Sequence, residues 1–183
     1  MRIETRRLIL YPMTAEDLQK AIKDLAAVVR SYGAATPYIG FWETRAKRKL
    51  YKAKSELIRQ APRSWLLSTS WLIIEREERT LIGEAGLKGP PAARHTVEIG
   101  YGLLEGFRNK GYMTEAVGAL TRLALLQKDY RVERVTALTL PENVASHRVL
   151  EKTLYARQPS FGRYWLWERV KLPDDTLEGV FTT

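Results

Sequence analysis

The chain contains no cysteine, and its only histidines are His95 and His147. The missing cysteine excludes disulfides, thiolate zinc sites, iron–sulfur clusters and a cysteine nucleophile. Two histidines are too few for a histidine-rich metal site, and a Ser-His-Asp triad would have to use one of them. We therefore expect no metal cofactor. We expect His147 to be a solvated helix residue and His95 a turn residue.

Long apolar runs are also missing from the sequence. No stretch approaches the roughly 20 apolar residues that a membrane-spanning helix needs. The N-terminal segment MRIETRRLIL has no apolar core of signal-peptide length before Pro12. We therefore expect a soluble, cytoplasmic protein without a membrane partner.

The composition is that of an ordinary globular domain, with 45% hydrophobic, 28% charged and 10% aromatic residues. A length of 183 residues predicts a single domain that spans residues 1–183. The acidic tail from Pro173 onward is expected to be loosely ordered. The sequence does not distinguish a monomer from a homodimer.

Basic residues outnumber acidic residues by 30 to 21, which gives a formal net charge of +9. Such a surplus favours an anionic partner: nucleic acid, an acidic membrane surface or a phosphorylated small molecule. The basic segment 42–60, predicted to be a helix, leaves open an RNA- or ribosome-associated binding module. Residues 43–50 carry no interleaved aromatics, however, and charged helix faces are usually solvated. A nucleic-acid partner is therefore not expected.

The hydrophobic pattern changes repeatedly between the helical and the strand period. The predicted order is one strand, two helices, three strands, and then helix, strand, helix and strand. This order indicates a mixed α/β domain around one sheet. Predicted helices cover residues 14–30, 42–60, 112–128 and 143–153, and predicted strands cover residues 5–11, 66–75, 80–87, 96–104, 133–140 and 164–170.

The most informative segment is RNKGYMT, residues 108–114, between a predicted strand and a predicted helix. The first N–H groups of a helix lack partners within the helix and carry the positive end of its dipole. Gly111 lets the backbone approach a phosphate closely, and Arg108 and Lys110 add positive charge. The segment is therefore suited to a diphosphate. The alternative is an ordinary strand–helix turn with solvated basic residues.

Two segments together resemble the GNAT acetyltransferase superfamily: EIGYGLLEGFRNKGYMTEA at 98–116 and LPENVASHRVLEK at 140–152. With ETRRLIL near the start, they are most similar to the RimJ/RimL branch, which acetylates N-terminal amines of ribosomal proteins. The resemblance implies acetyl-CoA as cosubstrate, and a protein N-terminus or a small amine as acceptor. It also implies a mixed central sheet of about six to seven strands, flanked by about four helices and containing a bulged strand before the loop.

The resemblance implies a role for each matching position. The backbone of Tyr101 and Leu103 would bond the pantetheine arm, and the Leu103 N–H would face the thioester carbonyl. Asn143 would bond the cofactor near its pantetheine, and Ser146 stands where this branch carries a hydroxyl near the sulfur. The diphosphate would be held by the backbone groups of Arg108, Asn109, Lys110, Gly111, Tyr112 and Met113.

Three parts of the sequence depart from the family pattern, one of which is Leu154-Tyr155 in place of the usual Gly-Phe after the predicted helix 143–153. Met113 stands where the broad pattern has Gly or Ala, which crowds the loop but leaves its backbone donors in place. Leu150 stands seven residues after Asn143, where many members carry a tyrosine, so a tyrosine acid at that position is excluded. Leu150 also leaves open a fold that binds acetyl-CoA without catalysing transfer.

Transfer of an acyl group from a thioester to an amine requires a neutral amine, a stabilised oxyanion and a departing thiolate. Glu98 is the predicted base, because it lies on the strand beside the predicted thioester site. Its alternative role is a surface carboxylate or an ion-pair partner. Ser146 is the predicted acid, with Tyr155 as the second choice, although a serine at a helix start is otherwise a cap. Glu84, on the preceding strand, is predicted to be an ion-pair partner.

The sequence does not identify the acceptor amine. Ribosomal N-termini, other protein N-termini, a polyamine and an antibiotic all stay open. We expect acceptor choice to depend on residues 31–42 and 157–165. Aromatic side chains that could line the acceptor pocket are Tyr38, Phe41, Trp42 and Trp65.

Overall fold

The computed structural model describes residues 1–37, 44–89, 91, 95–127, 129–159 and 162–175. Within them, eight strands form one sheet in the order β1-β2-β3-β4-β5-β6-β8-β7. Every neighbouring pair is antiparallel except β5 and β6, which are parallel. The strands are β1 (Ile3–Glu4), β2 (Leu8–Pro12), β3 (Ser70–Glu75), β4 (Thr80–Leu87), β5 (Thr96–Leu103), β6 (Arg134–Thr139), β7 (Ala156–Gln158) and β8 (Trp165–Val170).

Six α-helices flank the sheet within the same residues. The segment predicted as one helix over 14–30 forms two helices. The reason is Asp24, whose carboxylate accepts a hydrogen bond from the Ala27 N–H at 2.8 Å and thereby caps a new helix. The helices are α1 (Ala15–Ala21), α2 (Leu25–Ser31), α3 (Arg45–Gln60), α4 (Trp65–Ser68), α5 (Tyr112–Leu125) and α6 (Val144–Lys152).

Hydrophobic cores cover both faces of the sheet. One core joins α5 and α6 to the sheet and contains the buried side chains of Val97 and Ile99 from β5. The other joins α1, α2 and α3 to the opposite face. We name the two sides the α5 face and the α3 face. Because side chains alternate along a strand, the even-numbered residues of β5, Glu98 among them, belong to the α3 face.

The strands β5 and β6 diverge in the middle of the sheet. Their parallel pairing joins residues 96–98 to residues 134–136. Beyond it, β5 pairs only with β4 and β6 only with β8, within the described part of the chain. The divergence opens a cleft at the carboxyl end of β5, directly before the segment that leads into α5.

The predicted mixed α/β fold is confirmed, with differences in detail. Eight strands replace the expected six to seven, because β1 and β7 have two and three residues and show no readable period. The predicted strand 66–75 begins at Ser70, after the one-turn helix α4.

The start of the acidic tail is anchored, since Arg169 Nη2 lies 2.7 Å from an Asp175 carboxylate oxygen and both side chains are buried.

Gly100 and Gly102 in the predicted strand favour a bulge or a close backbone approach, and the pairing of β5 with β4 shows no bulge at these residues. The β4–β5 register runs without a shift through residues 99–103. The register shift of this sheet region lies between β3 and β4, at Ile73 and Ile74.

Within the residues described, no helix is long and apolar enough to cross a membrane.

Candidate functional site

A cavity of about 1080 Å³ lies in the cleft between β5 and β6. Its walls are the end of β5, the loop before α5, the start of α6 and the start of α3. Eight of the predicted site residues line it, whereas Glu98, Lys110 and Tyr112 are not among its lining residues. The eight are Tyr101, Leu103, Arg108, Asn109, Gly111, Met113, Asn143 and Ser146.

Backbone groups of β5 are directed into the cleft. The Glu98 carbonyl accepts from the Lys88 N–H at 2.8 Å, and the Leu104 N–H donates to the Ile82 carbonyl at 2.9 Å. Even-numbered residues of this stretch therefore direct their backbone groups toward β4. Because that direction alternates along an antiparallel strand, the N–H groups of Tyr101 and Leu103 face the opposite edge. This edge has no strand partner among the described residues, so it can bond an extended ligand.

The loop before α5 contains two residues with positive φ. Gly111 has φ +80° and ψ 0°, and Asn109 has φ +62°, both in the left-handed region. Gly111 is the N-cap of α5, and no side chain caps this helix start. In contrast, Thr14, Asp24, Thr44 and Asn143 cap α1, α2, α3 and α6 through their side chains. The N–H groups at the start of α5 are therefore available to an anion.

A brace from the N-terminal strands holds this loop. The Glu115 carboxylate accepts hydrogen bonds from the Thr5 hydroxyl at 2.6 Å and from the Arg7 Nε at 2.9 Å. The Arg7 Nη1 also donates to the Lys110 carbonyl at 2.9 Å, and the Arg7 guanidinium lies 4.6 Å from the centre of the Tyr112 ring. Burial raises the pKa of Glu115, but the hydrogen bonds from Thr5 and Arg7 outweigh it and leave that pKa below its ordinary value.

The start of α6 forms the wall opposite this loop. The side-chain oxygen Oδ1 of Asn143 accepts a hydrogen bond from the Ser146 N–H at 3.2 Å, so Asn143 caps the helix. The Tyr101 hydroxyl donates to the Ser146 backbone carbonyl at 3.4 Å. Burial raises the pKa of Tyr101 to about 12. Two hydroxyl groups, those of Tyr101 and Ser146, are thus present at this wall.

His147, on the same helix, is not solvated as expected. Its ring stacks on Trp165 with 4.6 Å between centroids, and its Nε2 lies 3.1 Å from the Leu140 carbonyl oxygen. The side chain is buried at 7% exposure. His147 therefore packs α6 against β8.

The predicted base Glu98 forms an ion pair with Lys88, and its side chain is 27% exposed. This is the alternative role that the sequence left open, and the assignment of Glu98 as base stays a prediction. A second carboxylate, Glu84, lies on the same α3 face of the sheet and pairs with Gly102 in the β4–β5 register. Its side chain is only 5% exposed.

Glu84 is held by two side chains of α3. It accepts a hydrogen bond from the Tyr51 hydroxyl at 2.7 Å and lies 2.8 Å from Lys47 Nζ. Burial, followed by the charge of Glu84, raises the pKa of Tyr51 well above its ordinary value. Lys47 and Gly102 both line the cavity. Glu84 contacts Lys47 and pairs with Gly102, so it lies directly behind the cavity wall.

Positive charge surrounds the cavity. Lys47 at the start of α3 and Arg108 in the loop line it, and Arg148 and Lys152 project from α6. Arg148 and Lys152 are not among the residues predicted from the sequence, although their spacing of four on a predicted helix places them on one face. An extended ligand with several phosphates fits this charge, the uncapped start of α5 and the open edge of β5.

The aromatic residues considered for an acceptor pocket are only partly described. Tyr38, Phe41 and Trp42 lie outside the described residues. Trp65 is partly buried and packs against the core of the α3 face. Among the described residues, no group of three or more His, Asp or Glu side chains is arranged to hold a metal ion.

A family model described as an acetyltransferase (GNAT) domain matches residues 7–153. An uncharacterized N-acetyltransferase of Bacillus subtilis (strain 168), YnaD, is 29% identical over 162 residues, covering 88% of this chain and 86% of YnaD. Another from the same organism, YjdG, is 31% identical over 98 residues, or 54% of this chain. The match to YjdG spans only 57% of its length.

Solved acetyltransferases share the fold at low sequence identity. RimL, a ribosomal L7/L12 α-N-protein acetyltransferase solved with coenzyme A, has a TM-score of 0.65 and 15% identity, covering 93% of this chain and 98% of that one. RimJ of Mycobacterium smegmatis, solved with a CoA disulfide, has a TM-score of 0.64 and 16% identity, covering 95% of this chain and 90% of that one. These similarities establish the fold.

Proposed function

This chain belongs to the acetyltransferase (GNAT) family, and from that premise we propose that it transfers the acetyl group of acetyl-CoA directly to a primary amine. One observation carries the proposal: the left-handed, uncapped start of α5 lies beside the open edge of β5 in a single basic cavity. The helix start suits a diphosphate, and the strand edge suits a pantetheine amide chain.

The cofactor is proposed to lie with its diphosphate over residues 108–113. Its pantetheine arm then bonds the backbone of Tyr101 and Leu103, and Asn143 contacts the arm from α6. The Arg7–Glu115 brace supports this placement, because it fixes the loop before any ligand binds.

The transfer step needs no intermediate on the protein. The neutral amine forms a C–N bond to the thioester carbon, and the electron pair of the C=O bond moves to oxygen. The Leu103 N–H stabilises this oxyanion. When the C=O bond reforms, the C–S bond breaks and the thiolate takes a proton from the Ser146 hydroxyl, which regains one from the added amine through the base or water.

Two carboxylates are candidates for the base that removes the amine proton. Glu98 was predicted from the sequence, but it is not among the residues that line the cavity. Glu84 is favoured by geometry, because it is buried and lies beside Gly102, next to Leu103. Both can act through a water molecule.

A protein N-terminal α-amine is the proposed acceptor. Such an amine has a pKa of about 8, against about 10.4 for lysine, so it is more easily neutral. The names of RimL and of its substrate, ribosomal L7/L12, support an acceptor of this kind. A ribosomal-protein acceptor would also place the enzyme in the cytoplasm.

The test measures CoA release with acetyl-CoA and a panel of N-terminal peptides, lysine peptides, polyamines and aminoglycosides. We expect release with an N-terminal peptide and a mass increase of one acetyl group on that peptide. CoA should also raise the Tm, because it binds only the folded state. An absence of both effects would contradict the proposal and favour the RNA-binding module. A Tm rise without turnover on any amine would favour an inactive acetyl-CoA-binding fold.

A further inference from the structure

Four basic side chains form a continuous row on the outer side of α3. They stand at spacings of three and four residues, which places them on one helix face. All four are exposed, and none forms an ion pair within the described part of the chain. We call this row the basic stripe: Arg45, Arg48, Lys49 and Lys52.

The positive charges of the basic stripe destabilise the helix that carries them. The first turn of α3 contains no acidic residue, so its cations add to the positive end of the helix dipole. Like charges also face one another at Arg45 and Lys49, and again at Arg48 and Lys52. By contrast, the first turn of α1 carries Glu16 and Asp17. A locally unfavourable arrangement of this kind is typical of a functional site that a ligand completes.

The stripe begins at the edge of the cavity. Thr44 and Lys47, from the first turns of α3, line the cavity itself. Lys47 is bound to Glu84 on the α3 face of the sheet. On that face, Gly102 lines the cavity and presents no side chain, which leaves room for an amine to approach the end of β5. Arg45 and Arg48 of the stripe directly follow the two α3 lining residues in the chain.

We propose that the basic stripe binds acidic side chains of a polypeptide whose N-terminal amine enters the cavity. This inference rests on the proposed function and narrows its acceptor to an acidic N-terminal segment. The stripe spans the eight residues 45–52, or about 10 Å of helix, which three or four residues of an extended peptide cover.

An acidic peptide fits the stripe better than a single-stranded RNA or the phosphates of CoA. The stripe contains no aromatic side chain on which bases of a single-stranded RNA would stack. The phosphates of CoA have other basic partners, since Arg108, Arg148 and Lys152 line the cavity away from α3. The charge of the stripe is thus left for the acceptor.

The experiment compares three synthetic peptides that begin with the same three uncharged residues. The following four residues are all Glu, all Gln or all Lys. We expect the Glu peptide to have a KM about tenfold or more below that of the Gln peptide at low salt, and the Lys peptide to have the highest KM. This difference should shrink as the salt concentration rises toward 0.5 M, because salt screens exposed charges.

A stripe variant and a matched control locate the effect. The stripe variant combines Arg45→Gln, Arg48→Gln, Lys49→Gln and Lys52→Gln, and should bring the KM values of the Glu and Gln peptides within about twofold. The control variant removes four exposed cations elsewhere and should keep the wild-type difference. It combines Lys20→Gln, Lys23→Gln, Arg63→Gln and Lys171→Gln.

The outcomes separate this inference from the proposed function. Equal KM values for the Glu and Gln peptides on wild-type protein, with acetylation of both, would overturn the stripe proposal and leave the enzyme assignment intact. A salt-sensitive preference that persists in the folded stripe variant would also overturn it. Tight binding of an RNA oligonucleotide that the Glu peptide does not displace would assign the stripe to RNA. A lack of acetylation of every amine would instead contradict the proposed function. Direct binding of the Glu and Gln peptides to the CoA complex would then show whether the stripe binds acidic peptides.

Discussion

The side chains of Glu84 and Glu98 share one face of the sheet but differ in their surroundings. Glu84 is buried under α3 and bonded to Tyr51 and Lys47. Glu98 is partly exposed and bonded to Lys88. A base must lie close to the amine and must exchange its proton with solvent through water. Glu84 meets the first condition better and Glu98 the second.

We predict that Glu84→Gln lowers kcat about 100-fold at pH 7, whereas Glu98→Gln lowers it less than tenfold. Loss of the base matters less at high pH, so the Glu84→Gln deficit should diminish as the amine becomes neutral. Steady-state rates from pH 6 to 10 measure both effects, with CoA affinity as the control. The reverse order of the two deficits would return the role of base to Glu98.

Asn143 has two separable roles at the start of α6. Its side-chain oxygen Oδ1 caps the helix, and its side-chain N–H₂ is the group proposed to bond the cofactor. Asn143→Ala removes both roles, whereas Asn143→Ser keeps a side chain that caps helices well. We predict that both variants lower kcat/KM for acetyl-CoA by about 1–3 kcal/mol of transition-state stabilisation.

The Tm distinguishes the two roles of Asn143, because only Asn143→Ala should lower it. A serine variant with wild-type kcat/KM would show that Asn143 acts only as a cap.

At the scale of elements, the segment between β5 and α5 combines a left-handed glycine turn with a brace. Gly111 lies at φ +80°, where an L side chain is strained, and a Cβ there would lie 3.4 Å from Arg7 Nη2. Arg7 and Glu115 connect the segment to the N-terminal strands. Any residue that forces Gly111 out of this conformation must therefore move the N–H groups at the start of α5.

We predict that Gly111→Val weakens CoA binding about tenfold or more, because the strain of a β-branched residue in this region is about 1–3 kcal/mol. Isothermal titration with CoA measures the change, after circular dichroism has confirmed that the variant is folded. Gly106→Val is a matched control, since a Cβ at Gly106 meets nothing within 4 Å. Unchanged CoA affinity in the folded Gly111→Val protein would place the diphosphate elsewhere.

At the scale of the whole molecule, Lys54 connects α3 to the sheet. Its Nζ donates to the backbone carbonyls of Ser68 at 3.1 Å, Thr69 at 2.8 Å and Leu87 at 2.8 Å. The side chain is buried, and burial lowers the pKa of Lys54 from 10.5 to about 8. The position of α3, with Lys47, Tyr51 and the basic stripe, depends on this buried group.

The lowered pKa of Lys54 predicts a pH dependence of stability. Between pH 8 and 10.5 the unfolded chain holds the proton more tightly than the folded protein, so this group makes the folded state more stable as the pH rises. We therefore expect the free energy of unfolding of the wild type, relative to Lys54→Met, to increase from pH 8 to pH 10. Urea titrations measure the difference, with Lys52→Met as an exposed control. A constant difference would show that Lys54 stays protonated in the folded state.

The sequence by itself determined the local features of this protein. The periodicity predicted the mixed α/β class, and the glycine in RNKGYMT marked the helix start at which Gly111 is the N-cap. The two motifs at 98–116 and 140–152 identified the family, because each consists of residues close together in the chain. Such features depend on nearest neighbours and on backbone conformation, which are encoded locally.

Only the tertiary structure decided which side chains meet. The pairing of Lys88 with Glu98, the burial of His147 against Trp165 and the contact of Glu84 with α3 all join separate elements. Strand register and helix packing determine these contacts, and no local pattern in the chain encodes the distance between two elements. For the same reason the cleft between β5 and β6, and the position of the basic stripe at its edge, could not be read from the residues alone.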